Sequence, residues 1–466
     1  MWRPAYRTLP SRRASRRPFL PSPPLPPNRR VIANDMPRLN VNQPRFSRNM
    51  RDTGLNWRKY LSCKRYGRRQ LSSLQNNVVI SLPSMVTSPA TLTAPELELR
   101  EQVRRFLAET LPWGTFEPGL GMGADANPKF SAALAERGWV GMAVPARYGG
   151  PGATAVDRFV VVEELLRWGA PVGHHWVADR QIAPVLLRYG TEEQKRWLLP
   201  RICRGELCFC IGMSEPDAGS DLASVRTRGV RDSDGWRVSG VKVWTSNAMR
   251  ADFMIALCRT GEGARHQGLS RFLIDMRSPG VTVKPIPFLN GSTDHFAEVV
   301  LDGVAVSDEM VIGEIGQGWA QNANELAFER SGPDRWISTF LLVQEFIREW
   351  PDLAASPAGS RLIGELAAQY WVLRRLSLAV ARTIDAGGTP AAEAALIKEM
   401  GTRFEQDVVS ALRELLDGEL ICGLEPAHTP SLFERLLRRA VLESPSFTIR
   451  GGTNEVLRSV AAKGLS

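Results

Sequence analysis

From residue 93 to about 206, apolar positions recur at helical spacing. Leu99, Val103, Phe106 and Leu107 form one such stripe. It follows a Thr93-Ala94-Pro95-Glu96 start, in which hydroxyl and carboxylate can each satisfy an exposed backbone donor. The pattern predicts further helices over about 129–137, 155–168 and 176–188. Thr191-Glu192-Glu193-Gln194 caps another, carrying Trp197 and Leu198. Between them, GWVGMAVPARYGG (138–150) is a Gly/Pro-punctuated connection. From about 207 to 315 the period shifts towards two. Strands are predicted at 208–213, 236–245, 252–259, 271–276, 281–287 and 297–302, separated by Gly- and Asp-rich turns. That pattern makes a small antiparallel β-domain. Beyond it the helical period returns. One long helix is predicted from near Gly318 towards Trp350, kinked at Gly332-Pro333 because proline removes a backbone donor. Other helices are predicted at 361–385, 390–416 and 430–442, with Thr389-Pro390 and Thr429-Pro430 as starts and Gly387-Gly388 as a stop.

The fold class that follows is α+β multidomain. A helical N-terminal domain (85–206) leads into a central β-domain (207–315) and a C-terminal helical bundle (316–466). Residues 1–84 precede them as a basic Pro/Arg-rich extension with RR pairs and a PSPPLPP run at 21–27. Such a composition buries too little apolar surface to order itself.

Charge changes the picture only after it is split. The chain of 466 residues has a formal charge of +10. Residues 1–84 hold 18 of the 59 basic residues but only Asp35 and Asp52 of the 49 acidic ones, so the remainder carries 41 basic against 47 acidic. The body is mildly acidic, which argues against a nucleic-acid-binding core. A DNA-associated, non-catalytic protein using the extension as a basic arm is a competing class. No apolar run approaches the length of a membrane span. The cysteines are Cys63, Cys203, Cys208, Cys210, Cys258 and Cys422. Cys208 and Cys210 share one strand face, and no second pair has ligand spacing, so they read as core residues in a reducing compartment. His174 and His175 read as ordinary helix-surface or interface histidines, with the edge of a substrate pocket as the alternative.

The chemistry concentrates between Cys208 and Asn247. CFCIGMSEPDAGSD, ending at Asp221, is an apolar strand running into a tight polar loop. GWRVSGVKVWTSN, from Gly235 to Asn247, is a β-branched strand ending in Trp244-Thr245-Ser246. Two strand ends rich in small hydroxyls can line a flat, polar ligand. Together the two halves closely resemble the acyl-CoA dehydrogenases, with their SEPxAGSD-type loop and W-T-S strand end. Residues 138–150 and the Gly452-Thr453 segment are similar to further signatures of that family, and the resemblance extends from about 93 to 463. Met85 opens a segment of 382 residues, a family-like length. The extension before it is expected to be a disordered tail or a translated leader.

The resemblance implies FAD-dependent α,β-dehydrogenation of an acyl-CoA, with electrons passed to an electron-transfer flavoprotein. Ile211, Met213 and Ser214 would contact the isoalloxazine edge. Ser220 would lie near the phosphates or the CoA arm. Trp244 would pack on the flavin, Thr245 would hydrogen-bond near its N5, and Ser246 would follow at the same strand end. Gly452 and Thr453 would open the last helix towards the flavin.

Many relatives carry the catalytic base directly before this Gly-Thr, where this chain has Gly451. A branch of the family places it on the long helix before an arginine; here that position is Glu329, followed by Arg330, a candidate substrate-binding residue. Gly451 would leave room for that carboxylate and keep a backbone N–H for the thioester oxygen. This pattern is similar to subunits of hetero-oligomeric, sterol-side-chain dehydrogenases. Two family motifs that reach the neighbouring subunit's flavin have no match at 348–356 and only Gly423 at 420–424. A partner-completing role beside another dehydrogenase-like subunit is therefore expected over a homo-oligomer. A homodimer would need other donors, with Arg361 and Arg374 as candidates. A flavin monooxygenase or oxidase on the same fold is a further alternative. The expected location is cytoplasmic, or mitochondrial if the leader is a transit peptide.

Overall fold

The computed structural model describes residues 91–121, 125–263, 265–289, 291–322, 330–416 and 429–465. The 1–84 extension, Glu329 and the 420–424 segment lie outside them.

The first helix, α1 (Ala94–Thr110), starts at Thr93, whose amide donates to the Glu96 carboxylate at 2.8 Å. Its buried Val103, Phe106 and Leu107 face α3 (Ala155–Arg167). A short α2 (Pro128–Glu136) lies between them in sequence. Helix α3 buries Val156, Phe159 to Val162, Leu165 and Leu166, and even its two glutamates. Arg104 of α1 takes up Glu164 at 2.9 Å. A single π-turn, Ala178–Ile182, leads into α4 (Ala183–Tyr189), and α5 (Glu192–Cys203) follows from a Thr191 cap.

Among the described residues the sheet has eight strands: β1 (Phe209–Gly212), β2 (Arg228–Asp232), β3 (Gly235–Ser246), β4 (Phe253–Arg259), β5 (Leu269–Asp275), β6 (Val281–Ile286), β7 (Phe296–Val306) and β8 (Val311–Ile312). Their order is β6-β7-β3-β2-β4-β5-β8, with β1 on β4. Most pairs are antiparallel as the alternation predicted. The exceptions are β1, which pairs parallel to β4 with Ile211 opposite Ile255, and a single parallel bridge from β2 to β4. The strands β1, β4 and β5 are buried on both faces, and alternate residues join two different cores. Phe209, Phe253, Ile255 and Leu273 pack with the helices α4 and α5. Cys210, Met254, Ala256, Phe272 and Ile274 pack with Val299 and Val304 of β7. The four described cysteines are buried and free.

The C-terminal helices are α6 (Phe340–Glu349), α7 (Pro351–Ala355), α8 (Pro357–Asp385), α9 (Ala391–Leu415), α10 (Leu432–Glu443) and α11 (Asn454–Leu465). One apolar cluster joins α8, α9 and α10 to α1 and α3. The predicted long helix from 318 to 350 does not form as one unit. Residues 318–322 are helical, but 330–332 turn, Pro333–Arg335 is a 3-10 turn, and α6 starts only at Phe340. Proline at the first position of that 3-10 turn ends the helical path instead of merely kinking it. No described helix is long and apolar enough to cross a membrane.

Candidate active site

The loop after β1 is held by a buried ion pair. Lys242 of β3 is completely buried, and its Nζ donates to Glu215 Oε1 at 2.8 Å, Leu257 O at 2.6 Å and Met213 O at 3.2 Å. Glu215 in turn accepts the amides of Arg226 (2.6 Å) and Thr227 (2.9 Å). Burial pulls the Glu215 carboxyl upward. The Lys242 charge and these hydrogen bonds outweigh that and hold it below its ordinary value. Gly212 makes room for the lysine stem: a Cβ there would stand 3.1 Å from Lys242 Cγ and 2.7 Å from Met254 Sδ. The amides of Glu215 and Ala218 exchange bonds with each other's carbonyls at 2.9 and 3.1 Å, so the loop is a closed, tight turn. Its tip, Gly219-Ser220-Asp221, is exposed.

This clamp brings the predicted loop and strand end together. Val243 N donates to Ser214 O at 2.9 Å. Ile211, Met213 and Ser214 are half-buried on the β1 side, while Ser220 sits further out on the exposed tip. Across from them, Trp244 has φ of 57° and is 58 % exposed, its ring edge against Phe296 at 5.9 Å. Trp244 is therefore lifted out of the strand, and Thr245 turns inward. Thr245 is fully buried, and its Oγ1 has no hydrogen-bond partner among the described residues. A buried hydroxyl without a partner costs free energy unless a ligand supplies one. Ser246 is half-buried behind it. Hydroxyls, a free aromatic face and an orphaned buried donor fit the edge of a flat heteroaromatic group such as a flavin.

The second half of the candidate site lies at the start of α11. Gly451 and Gly452 both have positive φ, 67° and 94°. A side chain at 451 would meet the buried Arg335 guanidinium at 3.2 Å, and one at 452 would meet Arg330 Nη2 at 3.4 Å. The space beside Gly451, expected to admit a carboxylate, is bordered by a cation. The amides of Gly451, Gly452 and Thr453 donate to no backbone carbonyl among the described residues. Around them cluster Asp334, ion-paired to Arg180 and to Arg335 (3.0 Å), and Arg450, 3.4 Å from the buried Glu405. Lys398 of α9 is completely buried and donates to Gly452 O at 2.7 Å and Asn454 Oδ1 at 3.1 Å. Burial first, then the charges of Arg335, Arg450 and Arg330, bring its pKa down to about 7.

Several expectations change. His175 is not on a helix surface: it is buried, bonded through Nδ1 to Ser131 Oγ at 2.8 Å, and its pKa is brought down to about 4 by burial. Arg374, one of the candidate donors towards a neighbouring subunit, binds Glu163 of its own chain, its Nη2 at 2.8 Å. Arg361 is exposed. Lys242, Arg335 and Lys398 were missed. Their signal was a charge inside an apolar stripe: Lys242 shares the inward face of Trp236 and Val238, and Lys398 lies beside Ala394 and Ile397 on the buried side of α9.

The comparisons with known proteins agree with this geometry. The sequence matches the acyl-CoA dehydrogenase N-terminal domain over residues 93–206, the middle domain over 210–304 and the C-terminal domain over 344–466. It is similar to acyl-CoA dehydrogenase FadE26 of Mycobacterium tuberculosis, 32% identical over 398 residues, covering 79% of this chain and 96% of that one. It is 34% identical over 343 residues to FadE34 of the same organism, covering 72% of this chain but only 46% of that longer protein. Among solved structures, the Tcur3481-Tcur3483 steroid ACAD is similar with a TM-score of 0.71 at 29% identity, covering 81% of this chain and 98% of that one. The ChsE4-ChsE5 complex from Mycobacterium tuberculosis is similar at 0.68 and 29% identity, covering 81% of this chain and 100% of that one. The fold and site thus define a flavin-dependent oxidoreductase acting on a CH–CH bond. The chain belongs to the acyl-CoA dehydrogenase family, whose cofactor is FAD.

Proposed function

We propose that this chain dehydrogenates the α,β-bond of a bulky, steroid-type acyl-CoA thioester and passes the electrons to an electron-transfer flavoprotein. The observation that carries the reading is the buried Thr245 hydroxyl, without a partner among the described residues and set beside a loop that the Lys242–Glu215 pair holds in place. FAD, when bound, supplies the acceptor for the β-hydride. On this reading Thr245, Trp244, Ser246 and the Ile211–Ser214 stretch hold and orient the ring, and Ser220 meets the phosphate or CoA portion. The amides of Gly451, Gly452 and Thr453, which have no backbone acceptor among the described residues, would face the thioester oxygen. Negative charge builds there as the α-proton leaves, and fixed donors stabilise it. The cations Arg330, Arg335 and Arg450 nearby lower the cost of that charge. Glu329, which lies outside the described residues, is proposed as the base that takes the proton. The bulky acyl class is supported by likeness to the steroid dehydrogenase structure.

Assembly with a second, different dehydrogenase-like subunit accompanies this reading. It is supported by the ChsE4-ChsE5 relative, a complex by its name, and by Arg374 being committed within the chain. The bacterial relatives support a cytoplasmic setting.

The test is Glu329→Gln in the flavin-loaded protein, scored by anaerobic bleaching of the flavin band with a panel of CoA thioesters. Loss of a general base predicts a fall of roughly 100- to 10,000-fold in bleaching rate with flavin content kept. Bleaching at the wild-type rate would refute the assignment. Flavin reoxidised by air faster than by an electron-transfer flavoprotein would instead favour an oxidase.

A further inference from the structure

Lys398 is a charged residue in the wrong place for stability alone. It sits on α9 with no exposed surface, in a neighbourhood already rich in positive charge. Arg330 and Arg335 approach from the segment before α6, and Arg450 from the turn before α11. Against them stand Glu405 on its own helix, Asp334 on the 3-10 turn and the exposed Glu455 on α11. A buried ammonium among arginines is costly, and an apolar side chain of similar length would avoid that cost.

What the ammonium does is hold one stretch of backbone. Nζ reaches Gly452 O at 2.7 Å, Asn454 Oδ1 at 3.1 Å and Thr448 O at 3.5 Å. Asn454 is fixed in turn: its amide donates to Thr448 O at 3.0 Å and its Nδ2 to Glu399 O at 3.3 Å. Thr402 adds a bond to Asn454 Oδ1 at 3.2 Å. The turn from Thr448 to Asn454 therefore hangs on α9 at several points, with Gln406 Nε2 also 3.4 Å from Thr448 Oγ1, and Lys398 Nζ is the group that holds its Gly452 carbonyl. Its two glycines have positive φ and no side chains with which to anchor themselves. The peptide bonds are trans, so pinning the Gly452 carbonyl towards Lys398 directs the Thr453 N–H the opposite way. The amides of Gly451, Gly452 and Thr453 donate to no backbone carbonyl at hydrogen-bond distance among the described residues.

We infer that Lys398 is a positioning residue: its ammonium group sets the direction of the Gly451–Thr453 amides that receive the substrate's thioester oxygen. The role rests on the function proposed above; the geometry of the clamp does not. A protonated Nζ has three donors, one for each acceptor, whereas the neutral amine has two. With a pKa near 7, the clamp is complete on the acid side and loses one bond as pH rises through neutrality.

Two measurements on the full-length, flavin-loaded protein test this. The first is amide hydrogen exchange of the peptide spanning 448–456 at pH 6 and pH 9, corrected for intrinsic exchange, in wild type, Lys398→Met and Lys398→Gln. Loss of the clamp predicts exchange on the order of 10-fold faster in the Met variant at both pH values, and wild type that loosens at pH 9. The second is the rate of flavin bleaching by whichever CoA thioester bleaches wild type fastest. Misaimed donors predict a rate on the order of 100-fold lower for Met, thioester affinity changed far less, and partial recovery with Gln. Unchanged exchange in Lys398→Met, or bleaching at the wild-type rate at both pH values, would overturn the inference. If the variant does not fold, the wild-type exchange at the two pH values decides: equal protection refutes the clamp. A wild-type protein bleached by no CoA thioester would refute the proposed function, while the exchange measurement would still judge Lys398.

Discussion

The ammonium nitrogen of Lys242 stands 2.8 Å from Oε1 of Glu215, and both side chains are buried. The pair joins the middle of β3 to the loop after β1. Loop and strand end are also linked through the backbone, Val243 N donating to Ser214 O at 2.9 Å.

Removing one partner of such a pair leaves the other as an uncompensated buried charge. Lys242→Met is expected to lower unfolding free energy by about 3–5 kcal/mol, read from urea melts. It should also release Met213 and Ser214, so FAD content after purification should fall. A variant that keeps both wild-type stability and full flavin would show that the pair does not hold the site.

Thr245 makes the opposite expectation. Its hydroxyl has no partner among the described residues, so the flavin-free protein gains nothing from it. Thr245→Val should leave the apoprotein as stable as wild type, or raise it by about 1 kcal/mol, because an unsatisfied buried group is removed. Flavin affinity should weaken by about 2- to 12-fold, the worth of one hydrogen bond. Calorimetric melts of the apoprotein and a flavin titration separate the two effects. An apoprotein that is destabilised, with flavin binding unchanged, would place the hydroxyl in structure alone.

The sequence made the layered architecture legible because burial leaves a periodic trace. Phe209, Phe253 and Ile255 announce strands, and Val103, Phe106 and Leu107 a helix, by spacing alone. The short strands β2 and β8 were not legible. Arg228-Gly229-Val230-Arg231-Asp232 is mostly exposed and has almost no apolar side to alternate, and β8 is only two residues long. The break at 330–339 was missed because Trp336, Ile337, Leu341 and Leu342 keep near-helical spacing across it, while backbone conformation is set by Pro333 and the buried Asp334. The flavin half of the candidate site could be read because its residues are contiguous in two stretches. The cationic half could not: Arg180, Arg335, the α9 pair Lys398 and Glu405, and Arg450 come from four separate segments. Only folding makes their charges neighbours.

His175 supplies a pH dependence with a definite sign. It is buried, its Nδ1 lies 2.8 Å from Ser131 Oγ, and Asp179 and His174 are the charged groups that act on it. Burial dominates and brings its pKa from 6.5 down to about 4. Between these values the unfolded chain binds a proton at this site and the folded chain does not. Stability from this group is therefore fully present above pH 6.5 and is lost as the pH falls towards 4. A shift of that size corresponds to roughly 3 kcal/mol, as an order of magnitude. Other acid-sensitive groups also change stability over this range, so the informative quantity is the difference between wild type and His175→Gln. Glutamine offers an amide in place of the ring and does not titrate. Plotted against pH, the stability of wild type minus that of the variant should be level above about 7, decline from 6.5 to 4, and level again below. Denaturant melts at half-unit pH steps measure the curve. A flat difference would mean that His175 takes up a proton in the folded protein as readily as in the unfolded chain, and that the Ser131 side of the helical layer is open to water.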